Sequence, residues 1–369
     1  MRILILNWRD PSHPWAGGAE VFLYELAKRW IAAGHQITWY SSCHPSQCKT
    51  EQESGFQFIR GGGFFSVFLT APLYYLANLS GRFDVIVDSA NGIPFFTPLY
   101  TSTPRIALVH HVHKQVFFCE LPRGLAHIAN LLEQYAAPLI YRNTPFITVS
   151  ESSRQALVEI GIPEGQISLI YNGVDCKRYH PGKKSETPFI VYLGRLRHYK
   201  RVDIAIRALP LLTDSFPDIS FGIAGSGPAE ADLRSLAHEL GVADRVQFFG
   251  HVSEDAKVVL LQKAHVVVNP SLKEGWGLTV LEANACGTPV VGADVPGLRD
   301  SICHRQTGYL VPYGDHTSMA GAIKKLLGNL KHRQKMEERA LQWGRRFSWD
   351  VSADKCLRIL ENVANGKIR

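Results

Sequence analysis

At 369 residues the chain exceeds what one ordinary hydrophobic core organises, so two domains are expected. Apolar residues at 46% and charged residues at 20% exclude a disordered chain. The formal net charge of +7 sits in the tail: basic against acidic side chains number 12 to 12 in residues 1–172, 16 to 16 in 173–323, and 12 to 5 in 324–369. A neutral body without a basic, aromatic-interleaved face argues against a nucleic-acid partner. The basic tail reads most simply as a solvated helix, and peripheral contact with an anionic membrane is a further expectation from it. Seven scattered cysteines with no C-x-x-C pair, in a chain that shows no export signal, point to reduced thiols and a cytoplasmic location.

The opening run Arg2–Asn7 is too short for the core of a signal peptide and reads as a buried first strand. Ala19, Phe22, Leu23, Leu26, Ala27, Trp30 and Ile31 recur on one face of an amphipathic helix that Gly34 closes. Further strands are expected at Gln36–Ser42, Phe56–Arg60, Asp84–Asp88, Arg105–His110, Phe146–Ser150 and Ile167–Tyr171. Cys43, His44 and Cys48 lack the two further ligands that a zinc site needs. The apolar stretch Phe64–Leu79 is short for a span and carries Pro72, so a core or groove-lining helix is expected there. Asn172-Gly173 and Pro181-Gly182 then break the pattern, which restarts with strands at Pro188–Leu193, Ile219–Ala224, Val246–Phe249, His265–Asn269, Pro289–Gly292 and Gly308–Val311. Short apolar strands alternating with helices imply parallel sheets covered on both faces. The expected architecture is α/β, with two doubly wound Rossmann-like domains facing each other across a cleft. The expected divisions are a first such domain at 1–175, a second at 176–346, and a C-terminal helix at 347–369 packing back toward the first.

The most informative segment is Val266–Gly292. A strand ends at Asn269-Pro270, a glycine-bearing loop follows, and a helix opens near Leu278. That order aims unpaired backbone N–H groups and a positive helix end at one point, where an anion can sit. Gly275 and Gly277 carry no side chain, so a diphosphate can come close to the backbone around Trp276, Leu278 and Thr279. Glu274 and Glu282 flank this anion site, and each carboxylate there needs a reason: a sugar for Glu274, a ribose diol for Glu282. Arg195 and Lys200, beyond the strand end at Tyr192-Leu193-Gly194, supply two cations for a leaving diphosphate. No Asp-x-Asp metal motif occurs, and neither a metal nor another cofactor is expected. Gly225 lies in a close-approach turn, and His251 and Val252 could line a nucleobase pocket. Upstream, Gly17 and Gly18 form a second glycine loop at a helix start, while His110, His111 and His113 follow a strand, where a functional residue would sit.

These residues together resemble glycosyltransferase family 4, the retaining group 1 transferases of GT-B fold. The resemblance rests on Gly17-Gly18-Ala19-Glu20, Val149-Ser150-Glu151-Ser152, Asn172-Gly173-Val174-Asp175, Gly194-Arg195 with Lys200, Gly225-Ser226-Gly227-Pro228, and the glutamates 274 and 282. It implies a hexosyltransferase working from a nucleotide-sugar donor on a polysaccharide, lipid-linked or other glycan acceptor, without metal. Arg195 and Lys200 would grip the donor diphosphate, Glu274 would contact the transferred sugar beside the amides of Gly277 to Thr279, and Glu282 would hold the ribose. His110 is the best positional match to the family's catalytic-site histidine, with His111 as its competitor. Trp276 and Asn284 stand where the family more often has phenylalanine and methionine, and the stretch around Gly297 carries one glycine where two are frequent. Two other functions fit part of the pattern: a GT-B nucleotide-sugar epimerase and a non-catalytic nucleotide-sugar-binding protein. A dinucleotide oxidoreductase does not fit, because Asn7-Trp8-Arg9-Asp10-Pro11 replaces the glycine fingerprint.

Overall fold

The computed structural model describes residues 1–367; the last two residues of the expected C-terminal segment lie outside the described residues. The chain divides into two compact units, Met1–Gly173 with the stretch beginning at Trp349, and Val174–Ser348.

The first unit holds β1 (Arg2–Leu6), β2 (Gln36–Ser41), β3 (Thr50–Glu53), β4 (Phe56–Arg60), β5 (Val85–Ser89), β6 (Arg105–Val109), β7 (Phe146–Thr148) and β8 (Ile167–Leu169). Their order across the sheet is β3-β4-β2-β1-β5-β6-β7-β8, parallel except for β3. Ile3, Leu4, Ile5 and Leu6 are all buried, as a central strand covered on both faces demands. From β1 the chain first builds toward β4 and then returns to lay β5 on the other side, so the switch point lies at the carboxyl end of β1. β3 departs from the sequence expectation. Thr50-Glu51-Gln52-Glu53 is wholly exposed, has no apolar residue, and is held by antiparallel pairing to β4. The amphipathic helix runs Gly18–Ala32. The Phe64–Leu79 stretch is helical from Val67 to Tyr74 and continues as a π-helical turn, Tyr75–Leu79. Val67, Ala71, Tyr75 and Leu79 face the core, whereas Leu69, Leu73 and Leu76 stand in solvent. The C-terminal helix Trp349–Ala364 packs on the first helix, where Trp30 Nε1 donates to the Ala353 carbonyl at 3.1 Å and Arg29 pairs with Asp350 at 2.5 Å.

The second unit holds β9 (Phe189–Leu193), β10 (Ser220–Ala224), β11 (Val246–Gly250), β12 (Val266–Asn269), β13 (Val290–Ala293) and β14 (Gly308–Val311), all parallel, in the order β11-β10-β9-β12-β13-β14. Its core gathers Ile190, Tyr192, Phe221, Ile223, Val266 and Val268 from the strands with Ile206, Leu233 and Ile323 from the helices. The strand order reverses between β9 and β12, so the loops leaving these two neighbours open onto one switch point. Among the described residues no helix is long and apolar enough to cross a membrane.

Candidate functional site

The switch point of the second unit brings together the residues singled out after β9 and β12. The two loops are joined by a backbone bond from Leu272 N to the Tyr199 carbonyl at 2.8 Å. Across this junction Lys200 Nζ donates to Glu274 Oε1 at 2.6 Å, and Ser271 Oγ donates to the same oxygen at 2.8 Å. Lys200 precedes the next helix rather than opening it. It ends a 3₁₀ turn, His198–Lys200, and the helix starts at Val202 because Arg201 interposes a left-handed residue at φ 51°. Burial disfavours the Lys200 ammonium, but the adjacent Glu274 carboxylate outweighs it, so the pKa moves up and the cation is retained. Arg195 is half-buried in the same loop, its carbonyl accepting from Tyr192 Oη at 3.1 Å.

The helix after the Glu274 loop runs Leu278–Ala285, with Gly277 as N-cap. Its first turn carries amides left over by intrahelical bonding, and Leu278 and Thr279 there are half-buried, as is Gly275. Trp276 is buried and stands edge-on to Phe347, at 5.2 Å between ring centres, so its indole anchors the loop. Glu282 is on the helix one turn in, 4% exposed. Its Oε1 accepts from Lys257 Nζ at 2.8 Å, while its buried Oε2 has no protein partner. Gly225 follows β10 at φ 139°, and a Cβ there would lie 1.9 Å from the Gly194 carbonyl oxygen, so only glycine lets these loops meet. His251 is exposed and Val252 half-buried just past β11.

Gly17, Gly18 and His110 belong to the first unit. Gly17 caps the helix Gly18–Ala32, and its amide donates to Glu20 Oε2 at 2.6 Å. Gly18 is exposed, with open space where a Cβ would stand. His110 lies just beyond β6, buried, with its ring edge-on to Phe22 at 5.1 Å and its Nε2 without a protein partner. Burial, with help from His113, pushes its pKa down to about 3, so the imidazole is neutral. His111 is half-buried, its ring 4.3 Å from that of His113, which Glu133 engages at 3.2 Å. Among the described residues no three His, Cys, Asp or Glu side chains gather as metal ligands would.

The sequence matches two family models in succession, Glycosyltransferase Family 4 over residues 16–178 and Glycosyl transferases group 1 over residues 176–343. The chain belongs to glycosyltransferase family 4. It is similar to a D-inositol 3-phosphate glycosyltransferase of Jonesia denitrificans, 33% identical over 189 residues, which are 49% of this chain and 45% of that protein. An uncharacterized glycosyltransferase of Methanocaldococcus jannaschii is 31% identical over 235 residues, 59% and 60% of the two chains. The chain thus matches roughly half the length of these curated relatives. A glycogen synthase of Mycobacterium tuberculosis is 26% identical over 100% of this chain and 96% of its own. Among solved structures, sucrose-phosphate synthase from Thermosynechococcus elongatus superposes with a TM-score of 0.84 at 21% identity, covering 99% of both chains. HepE of Anabaena, solved with UDP-glucose, gives 0.77 at 18% identity over 98% of this chain and 100% of that one. These likenesses establish the GT-B fold.

Three supporting residues of this family 4 chain escaped the sequence reading. Lys257, on the helix Glu254–Lys263, pairs with both Glu282 and Glu254, and the latter also accepts from Tyr179 Oη at 2.5 Å. Lys257 is twenty-five positions from Glu282, so nothing local signals the pair. Ser271 supports Glu274 from within its own loop. Gly297, given no role from sequence, sits at φ 83° where a Cβ would be 2.2 Å from the Glu274 carbonyl oxygen. Its position after Pro296 was the available signal for a special backbone turn.

Proposed function

We propose that this chain is a glycosyltransferase that moves a hexose-type sugar from a nucleoside-diphosphate sugar to a glycan or lipid-linked acceptor. The observation that carries the reading is the Lys200–Glu274 pair, 2.6 Å apart, beside the N-terminus of the helix Leu278–Ala285 at a strand switch point. Arg195, Lys200 and the first-turn amides hold the diphosphate. Lys200 then shares its charge between that anion and Glu274, which keeps the carboxylate placed for the sugar. Glu282 offers its unpartnered Oε2 to the ribose. Gly225, His251 and Val252 border the base. In the first unit, Gly17, Gly18 and the neutral His110, whose Nε2 has no protein partner, keep the roles that the resemblance implies.

In this reading transfer is retaining and front-faced. The bond from the anomeric carbon to the phosphate oxygen breaks, the acceptor oxygen bonds on the same face, and its proton passes to the departing phosphate. The protein supplies position and electrostatics, with the two cations doing the neutralisation and no metal needed. HepE's UDP-glucose supports a nucleotide hexose as donor. The seven free cysteines support a reducing, cytoplasmic setting, and the exposed leucines of Phe64–Leu79 with the basic tail support peripheral contact with anionic membrane.

The test is incubation of the purified chain with UDP-glucose, GDP-mannose or UDP-N-acetylglucosamine and a glycan or lipid-linked acceptor pool, with NMR of the new glycosidic bond. A product of retained anomeric configuration, formed in EDTA, is expected. Glu274→Gln or Lys200→Ala lowers turnover by roughly 10²–10³-fold, as for loss of one oriented electrostatic group. Wild-type rates in both variants reject the site. A changed sugar on donor alone identifies an epimerase instead.

A further inference from the structure

Beyond the donor site, the carboxyl ends of β1 and β2 carry a group of aromatic rings that the transfer chemistry does not use. Trp8 meets Phe64 edge-on at 4.3 Å between ring centres. Trp15 stands 6.4 Å from Phe64, 5.6 Å from His13 and 6.0 Å from His44, and the two imidazoles are 5.4 Å apart. Trp15 is 47% exposed and Phe64 38%, whereas Trp30 and Trp39 of the same unit are buried completely. Leaving these rings half in water forgoes on the order of 1 kcal/mol of burial each. Such an open patch is characteristic of a binding surface.

The patch is built rigidly. Trp8 Nε1 donates to the Phe64 carbonyl at 2.8 Å, and Arg9 donates to the Trp15 carbonyl at 2.6 Å while its guanidinium covers the Trp8 ring at 4.5 Å. His13 Nδ1 accepts from the Trp15 amide at 3.0 Å, and His44 Nδ1 bonds Ser46 Oγ at 2.8 Å. Each imidazole therefore has its Nδ1 edge tied to the chain and its Nε2 edge on the opposite side of the ring. Preorganised rings with a few placed polar edges describe a small-ligand site.

Charge selects the ligand class. Arg9 lies 3.4 Å from Glu20, and Arg60 nearby is paired with Asp10 and Glu51, so both cations of the corner are compensated. Burial and Arg9 hold His13 below the usual histidine range, which keeps that ring neutral. A phosphate or acidic sugar finds no uncompensated cation. An alkyl chain makes no use of the imidazoles. A neutral hexose fits both features, with a C–H face for the rings and a hydroxyl rim for His13 and His44.

We propose that Trp8, Trp15 and Phe64, edged by His13 and His44, form a platform for a neutral saccharide, the acceptor sugar. This rests on the transferase reading for its role, but binding can be read without turnover. Saturation-transfer NMR with methyl α- and β-hexosides is expected to show ring-proton contacts in the wild-type protein, lost in Trp15→Ala and largely kept in Trp15→Phe. In transfer assays Trp15→Ala is expected to raise the glycoside KM at least tenfold with the nucleotide-sugar KM within twofold. No hexoside signal in the wild type, or unchanged hexoside binding in both Trp15→Ala and Phe64→Ala, overturns the platform. Lost binding to phosphatidylglycerol vesicles with unchanged hexoside affinity also overturns it, assigning the rings to a membrane. Hexoside binding without consumption of any nucleotide sugar keeps the platform and rejects the transferase reading.

Discussion

His110 shows how one buried side chain couples the proposed chemistry to pH. Its folded-state pKa of about 3 lies below the unfolded value near 6.5, so the stability tied to its neutral form is complete above pH 6.5 and is lost as pH falls toward 3. Between pH 7.5 and pH 5 the linkage amounts to about 2 kcal/mol. Urea unfolding at the two pH values is expected to show that much less acid destabilisation in His110→Gln than in the wild type. Equal acid sensitivity contradicts a buried neutral ring. The same burial leaves Nε2 unpartnered, which suits a group reserved for a ligand. From sequence His110 was the better positional match but His111 stayed a competitor, because alternation along a strand does not persist into the loop that follows it. Glu274 and Glu282 were legible through the anion site between them. Their partners Lys200 and Lys257 differ in this respect. Lys200 falls in a recognisable loop, whereas Lys257 stands in a helix whose register against Glu282 only packing determines.

At the scale of elements, parallel strands were readable because burial on both faces makes them continuous apolar runs, as in β1 and β12. β3 was invisible for the converse reason: its stability comes from pairing with β4 and from Glu51 reaching Arg60 at 2.8 Å, not from apolar content. Loop geometry was partly readable. The Glu274 loop and the helix from Leu278 follow from their glycines, but the crossing of Gly297 over the Glu274 carbonyl joins two loops that follow different strands. That crossing has a measurable consequence. Gly314 has nearly the same φ, 82°, with open space where a Cβ would stand, so Gly314→Ala costs only local backbone strain, about 1 kcal/mol. Gly297→Ala adds a backbone clash. It is expected to cost at least 1 kcal/mol more in thermal unfolding and to weaken nucleotide-sugar binding, because the Glu274 loop must move. Equal effects of the two substitutions contradict a supporting role for Gly297.

For the whole molecule, two parallel-sheet units follow from two series of strands separated by a break, and the same topology explains where the chemistry collects. In each unit the strand order reverses beside its first strand, and the loops that leave that point carry the glycines and charges. The return of the C-terminal helix to the first unit is fixed by Trp30, Arg29 and Ser352, contacts that link positions more than 150 residues apart. The central claim of the proposed transferase function is that the Lys200–Glu274 junction with Glu282 is a nucleotide-sugar site. Equilibrium thermal unfolding with UDP-glucose, GDP-mannose and UDP-N-acetylglucosamine, each added to the wild type, Lys200→Ala and Glu282→Gln, tests it most directly. A donor at a hundred times its dissociation constant stabilises the protein by about 2.7 kcal/mol. The account predicts such a shift with at least one donor in the wild type and its loss in both variants. No shift with any of the three, or equal shifts in all three proteins, would contradict it.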